Sequence, residues 1–231
     1  MNIHDTLKSS IIGSCVAEIA TLPICTIKTV YQTTGLSIVN STKKIYGNNG
    51  MVSFYNASIP AVSAQIFSST YKLTLFNYLK TKYNISEPKK LIYIGIFTSL
   101  TCIFFTHPMD YCRIMLQNNN KIDFNISIVK DVYRGFSPNI CKAIIGGAMF
   151  LPLRETLKNK LPLIESWKIG IFTAIISTLV MHPFDFFKTF LIGNSSGSKV
   201  PFRNPYRGLS LNLTRIVPHF VIMTEVADRI S

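Results

Sequence analysis

Carboxylates are scarce in this chain. Its 231 residues hold 11 Asp and Glu against 24 Lys and Arg, and charged side chains of both signs make up only 15%. That shortage argues against a soluble domain, in which about a quarter of residues are usually charged. The four histidines, His4, His107, His182 and His219, show no metal-ligand spacing, and neither a phosphate-binding glycine loop nor a nucleophile motif occurs. Five cysteines (Cys15, Cys25, Cys102, Cys112 and Cys141) lie mostly inside apolar runs without zinc spacing or a disulfide framework, and read as small packing residues. No secretory signal is expected, because Met1 to Lys8 is short and carries Asp5. Enzymatic chemistry finds no support, and no cofactor or metal is called for.

What is present is apolar. Hydrophobic residues make up 48% of the chain, and the mean hydropathy is positive. Leu91 to Met109 runs 19 residues without a formal charge and Ile169 to Phe184 another 16, while Ser9 to Ile27 is broken only by Glu18. Nineteen residues cross a hydrocarbon core and sixteen nearly do, so these are expected transmembrane helices. A net charge of +13 could suggest nucleic acid. The basic residues fall between the apolar spans, however, rather than in one stripe, which points to an anionic bilayer and not to nucleic acid.

One pattern recurs three times. Pro23, Pro108 and Pro183 each end an apolar span and are each followed five positions later by a base: Lys28, Arg113 and Lys188. Two positions after the proline stand Cys25, Asp110 and Asp185, and the prolines recur at intervals of 85 and 75 residues. A period of that size marks whole structural units. Each unit continues through a polar connection to a tripeptide and then a second span. The tripeptides are Tyr133-Arg134-Gly135 and Tyr206-Arg207-Gly208, with a weaker Tyr55-Asn56-Ala57 in the first unit. Units two and three also share Gly-Ile-Phe-Thr, at Gly95 and Gly170, thirteen residues before the proline of a His-Pro pair. A glycine there suits close helix packing in lipid. The expected architecture is an all-α membrane protein of six transmembrane helices, with repeats at 1–85, 86–160 and 161–231.

The second span of each repeat is less apolar and contains Lys72, Lys142, Arg154 and Arg215. Ionisable residues at membrane depth are costly and normally face a polar interior. Snorkelling toward a helix end would accommodate Lys72 and Arg154, whereas Lys142 and Arg215 are expected in a cavity.

The triple signature and its tripeptides resemble the mitochondrial carrier family, from about residue 5 to the C-terminus. The resemblance implies pseudo-three-fold symmetry, alternating access across the mitochondrial inner membrane, a working monomer, and both termini toward the intermembrane space. Pro23, Pro108 and Pro183 would kink the odd-numbered helices together, since proline removes a backbone hydrogen bond. A matrix-side gate would then form from Lys28, Asp110, Arg113, Asp185 and Lys188, braced by Gln32 and Gln117. Each acid pairs with the base of the next repeat in the family. Cys25 stands where the first acid belongs, so Arg113 is expected to lose its partner.

A cytosolic-side gate would draw on Lys80, Glu155, Lys158 and Asp228, in a degraded form of the family motif. Arg134-Gly135 and Arg207-Gly208 would bind cardiolipin at helix N-termini, against the plainer reading of a turn glycine beside an interface aromatic. Aligned on the tripeptides, the substrate positions are Ala64 or Gln65, Lys142 with Ala143, and Arg215. Two cations in a wet cavity imply an anionic substrate. Nucleotides are the first expectation, with Tyr71, Gly146 and Gly147 available to the base and sugar. Glu18 either faces the cavity or pairs with a neighbouring helix.

The third connection, Gly193 to Asn204, is short, and Ile, Asn and Lys are abundant. Both suggest a compact AT-rich genome, such as that of a virus supplying its own carrier for dATP and dTTP. The alternatives are a proton or fatty-acid leak of the uncoupling type, a carrier of a carboxylate or S-adenosylmethionine, and a non-transporting relative.

Overall fold

A glycine and a serine set the first turn of the chain. Gly35 at φ +76° reverses the backbone after α1 (Ile3–Thr34). The Ser37 hydroxyl then accepts from the Asn40 amide at 3.2 Å and so caps α2 (Ile38–Asn49). A short 3₁₀ turn, Gly50–Tyr55, leads to α3 (Ser58–Lys82). Pro88 opens α4 (Pro88–Gln117), where its missing amide costs nothing. Asn119 at φ +56° stands just beyond the end of α4. Then come α5 (Phe136–Lys160), α6 (Ser166–Gly193) and α7 (Leu209–Ile230). A computed structural model describes residues 3–85, 87–120, 131–160, 166–194 and 204–230, and no strand occurs among them.

Six of these helices are long, and α2 is the short one. The first helix of each repeat (α1, α4, α6) contains a stretch long and apolar enough to cross a bilayer: Ile11–Thr34, Pro88–Gln117 and Lys168–Gly193. The second helices (α3, α5, α7) complete the set. Neighbours pack in sequence, α1 on α3, α3 on α4, α4 on α5, α5 on α6, α6 on α7, and α7 returns to α1, which closes a ring. The chain is thus an all-α membrane protein of six transmembrane helices built from three two-helix repeats.

Burial is reversed relative to a soluble domain. Large apolar side chains such as Phe97, Phe104, Phe105 and Phe172 are exposed on the outside, where lipid would meet them, while Thr98, Thr173, His107 and His182 are buried. Hydroxyls at that depth bond their own helix. Thr98 donates to the Ile94 carbonyl at 2.9 Å and its repeat counterpart Thr173 to Ile169 at 2.7 Å. Helices α4 and α5 touch through glycine: a methyl group on Gly95 would collide with the Gly147 carbonyl, and one on Gly147 with that of Gly95. Gly146 and Gly147 are therefore packing residues first, although both also border the interior.

The helices run on through Pro23, Pro108 and Pro183, and through Pro152 and Pro218 as well. Each of the residues before Pro108 and Pro183 stacks on a tripeptide tyrosine, His107 on Tyr133 at 5.9 Å and His182 on Tyr206 at 6.2 Å. Asn139 Nδ2 lies 2.8 Å from His107 Nδ1, and His182 Nε2 lies 3.1 Å from the Arg207 carbonyl. These histidines tie the two helices of their repeats together.

Candidate functional site

The ring encloses a cavity of about 390 Å³, within the usual range for a small-molecule site. Each second helix contributes one face by helical periodicity. On α3 the face is Ala64, Gln65, Ser68 and Lys72; on α5 it includes Lys142 and Ala143; on α7 it includes Asn212 and Arg215. All the expected substrate positions therefore border one space, with the exception of Glu18. That residue is fully buried behind the wall. Lys72 differs from the snorkelling expectation and lines the cavity, because α3 continues to Lys82 and leaves it well inside the helix. Tyr71 points away, stacked on Phe67 at 5.5 Å and near Phe105 at 6.4 Å, so it does not serve the cavity.

The signature residues form the floor. Lys188 Nζ donates to Asp110 at 3.0 Å and Lys28 Nζ to Asp185 at 2.5 Å. Lys28 also reaches the Asn212 side-chain oxygen on α7 at 3.4 Å. Arg113 corrects the expectation that it lacks a partner. Its guanidinium is 2.5 Å from Glu18 Oε1 and 2.9 Å from Cys25 Sγ. Glu18 precedes Cys25 by two helical turns, which keeps it on the same face of α1 about 10 Å away along the axis. A carboxylate displaced along one helix face thus takes the place of the one missing from the signature. Three ion pairs join the three repeats around the floor.

Lys142 and Arg215, the cations expected to meet substrate, are not free in this conformation. Lys142 Nζ lies 2.5 Å from Asp185 Oδ1, and Arg215 lies 3.1 Å from Glu18 Oε2. Asp185 therefore holds two lysines, and Glu18 holds two arginines with His219 Nδ1 at 3.9 Å. Among the described residues, six cations (Lys28, Lys72, Arg113, Lys142, Lys188, Arg215) and two carboxylates line the cavity, and Glu18 behind it is a third. The balance is +3. A surplus of that sign in a water-filled space attracts anions.

Among the described residues, neither glutamine hydrogen-bonds a member of an ion pair. Gln117 accepts from Thr29 at 2.7 Å and donates to Thr26 at 3.4 Å, linking α4 to α1. Gln32 donates to the Arg207 carbonyl at 2.9 Å, linking α1 to the start of α7. Both hold helices beside the floor rather than the charges themselves.

The tripeptides serve the backbone. Gly135 (φ +75°) and Gly208 (φ +85°) adopt a conformation that suits glycine, and each lies against a neighbouring repeat, near Lys188 and Gln32 respectively. The Arg207 guanidinium donates to the Leu36 carbonyl at 2.5 Å and stacks on Tyr31 at 4.2 Å. Arg134 pairs with Asp131 at 2.9 Å. Lys80 lies in the last turn of α3, whereas the side chains of Glu155, Lys158, Asp228 and Arg154 lie outside the described residues.

A six-helix ring of three repeats, closed at one end by ion pairs between repeats around a cationic cavity, is the architecture of a membrane solute carrier. Comparison with known proteins agrees. Residues 1–87 match the family model described as mitochondrial carrier protein. A mitochondrial carrier-like protein of Acanthamoeba polyphaga mimivirus is 41% identical over 233 residues, covering 97% of this chain and 95% of that protein. A mitochondrial thiamine pyrophosphate carrier of Meyerozyma guilliermondii is 24% identical, over 80% of this chain and 74% of its own length. A mitochondrial substrate carrier family protein of Dictyostelium discoideum is 23% identical, over 90% and 77%. The chain belongs to the mitochondrial carrier family. Its members are transporters of small molecules, not enzymes.

Proposed function

We propose that this protein exchanges phosphate-bearing anions, nucleotides first among them, across the mitochondrial inner membrane by alternating access, working as a monomer. The surplus of cations in the cavity carries this reading. The yeast relative named for thiamine pyrophosphate, also a phosphate-bearing solute, fits the same class. The mimivirus relative supports a viral source, and supplying dATP and dTTP for an AT-rich genome is the use we assign.

The ion pairs suggest the mechanism. Lys142 fastens α5 to Asp185 on α6, and Arg215 fastens α7 to Glu18 on α1. A phosphate that takes both cations replaces these links and releases the second helices from the first. The floor then has only its ring of pairs to hold it. Buried pairs add little net stability, because desolvation offsets their attraction. The ring can therefore open in each cycle, while Pro23, Pro108 and Pro183 bend the first helices toward the gate they share. Lys80, Glu155, Lys158 and Asp228 supply the opposing gate, and cardiolipin binds at Arg134-Gly135 and Arg207-Gly208.

An uncoupling-type leak would be favoured by a gate short of one pair and a free Glu18. Glu18 is instead fully buried between two arginines. The test is uptake into liposomes carrying the purified protein, comparing ATP, dATP, dTTP and thiamine pyrophosphate with dicarboxylates, amino acids and S-adenosylmethionine. Nucleotide uptake is expected. Uptake of dicarboxylates with none of the phosphate compounds would reject the substrate class.

A further inference from the structure

Five of the six cavity cations are committed to carboxylates. Lys28 and Lys142 share Asp185, Lys188 holds Asp110, and Arg113 and Arg215 share Glu18. Lys72 lines the same cavity and has no ion pair or hydrogen bond among the described residues. It stands on α3 two turns beyond Gln65, on the same face and away from the signature floor, with Ser68 one turn below it. At the corresponding place after its tripeptide, α5 presents Phe150, so this level of the cavity is charged on α3 and apolar on α5.

An ammonium group without an ion-pair or hydrogen-bond partner at this depth is costly and calls for a ligand or water. It also differs from the deeper cations in what binding requires. A phosphate that takes Lys142 or Arg215 must displace a carboxylate, whereas one that takes Lys72 breaks no protein contact. We propose that Lys72 is the first anchor for an incoming anion and selects for substrates with more than one negative group, one held at Lys72 while another exchanges with Asp185 and Glu18 for the deeper cations. This rests on the reading of the cavity as an anion path. A triphosphate or diphosphate ester meets the requirement, and a monovalent anion does not.

The test is thermal unfolding of the purified protein in detergent with ATP, AMP or inorganic pyrophosphate, for wild type, Lys72→Gln and Lys72→Arg. A ligand that binds the folded state raises the unfolding temperature with its concentration. Wild type and Lys72→Arg are expected to respond to ATP and pyrophosphate more strongly than to AMP. Lys72→Gln should need about tenfold more ATP or pyrophosphate for the same shift, the size expected for one charge-assisted hydrogen bond. Its unfolding temperature without ligand should not fall, since no protein partner is lost. Equal responses in wild type and Lys72→Gln would overturn this role while leaving the anion reading in place. No response of wild type to any anion would overturn both.

Discussion

Glu18 of the first helix and Arg113 of the fourth are joined at 2.5 Å, although 95 residues separate them in the chain. Arg113 occupies the signature base position of repeat two, and Cys25, the residue at the acid position of repeat one, touches the same guanidinium through sulfur at 2.9 Å. The carboxylate has moved along α1 without leaving its face. In moving it came within reach of Arg215 as well, so one buried acid serves both the floor and the cavity wall above it.

Glu18→Gln should accordingly remove the charge that compensates two arginines. Breaking a buried pair by deleting one partner costs about 3–5 kcal/mol, so the unfolding temperature in detergent should drop clearly. Adding Cys25→Asp to that variant places a carboxylate beside Arg113 again and should recover part of the loss. A variant as stable as wild type would show that the two arginines do not depend on Glu18.

Asp185 and Asp110 occupy equivalent places but carry different loads. Among the described residues, Asp185 bonds Lys28 and Lys142, whereas Asp110 bonds Lys188 alone. Asp185→Asn should therefore lower the unfolding temperature more than Asp110→Asn, and adding Lys142→Gln to Asp185→Asn should return some of the difference. Equal effects of the two asparagine variants would contradict the shared-carboxylate geometry.

The glycines offer a packing test. Gly95→Ala or Gly147→Ala forces a methyl group into the facing backbone of α4 or α5, and overpacking of that kind costs about 1–3 kcal/mol. Gly47, in α2, has nothing within 4 Å of a built side chain. Gly47→Ala should be neutral or stabilising by up to about 1 kcal/mol through helix propensity. Thermal unfolding of the three variants compares them directly.

The repeats were legible because proline, base and apolar span recur at near-constant period, and the positions that border the cavity (Ala64, Gln65, Lys142, Ala143 and Arg215) followed from counting onward from each tripeptide. Gly95 was also legible as a close-packing residue. The pairing of Glu18 with Arg113 was not, although Glu18 and Cys25 share a helix face, because the missing acid was sought only at its own position. Lys142 and Arg215 were expected in the cavity without their carboxylates, which come from α6 and α1, because nothing local in the sequence records which helices face each other. Lys72 was set aside as a residue near a helix end that snorkels, whereas α3 runs on to Lys82 and leaves it in mid-helix on the cavity.

The most direct measurement is uptake of labelled ATP into ATP-loaded liposomes by wild type, Lys142→Gln and Arg215→Gln. A cationic cavity that carries phosphate anions predicts rapid exchange by wild type and loss of about tenfold or more in each variant, since each removes a charge-assisted contact. ATP exchange that persists unchanged in both variants, or no ATP exchange by wild type alongside uptake of another solute, would contradict it.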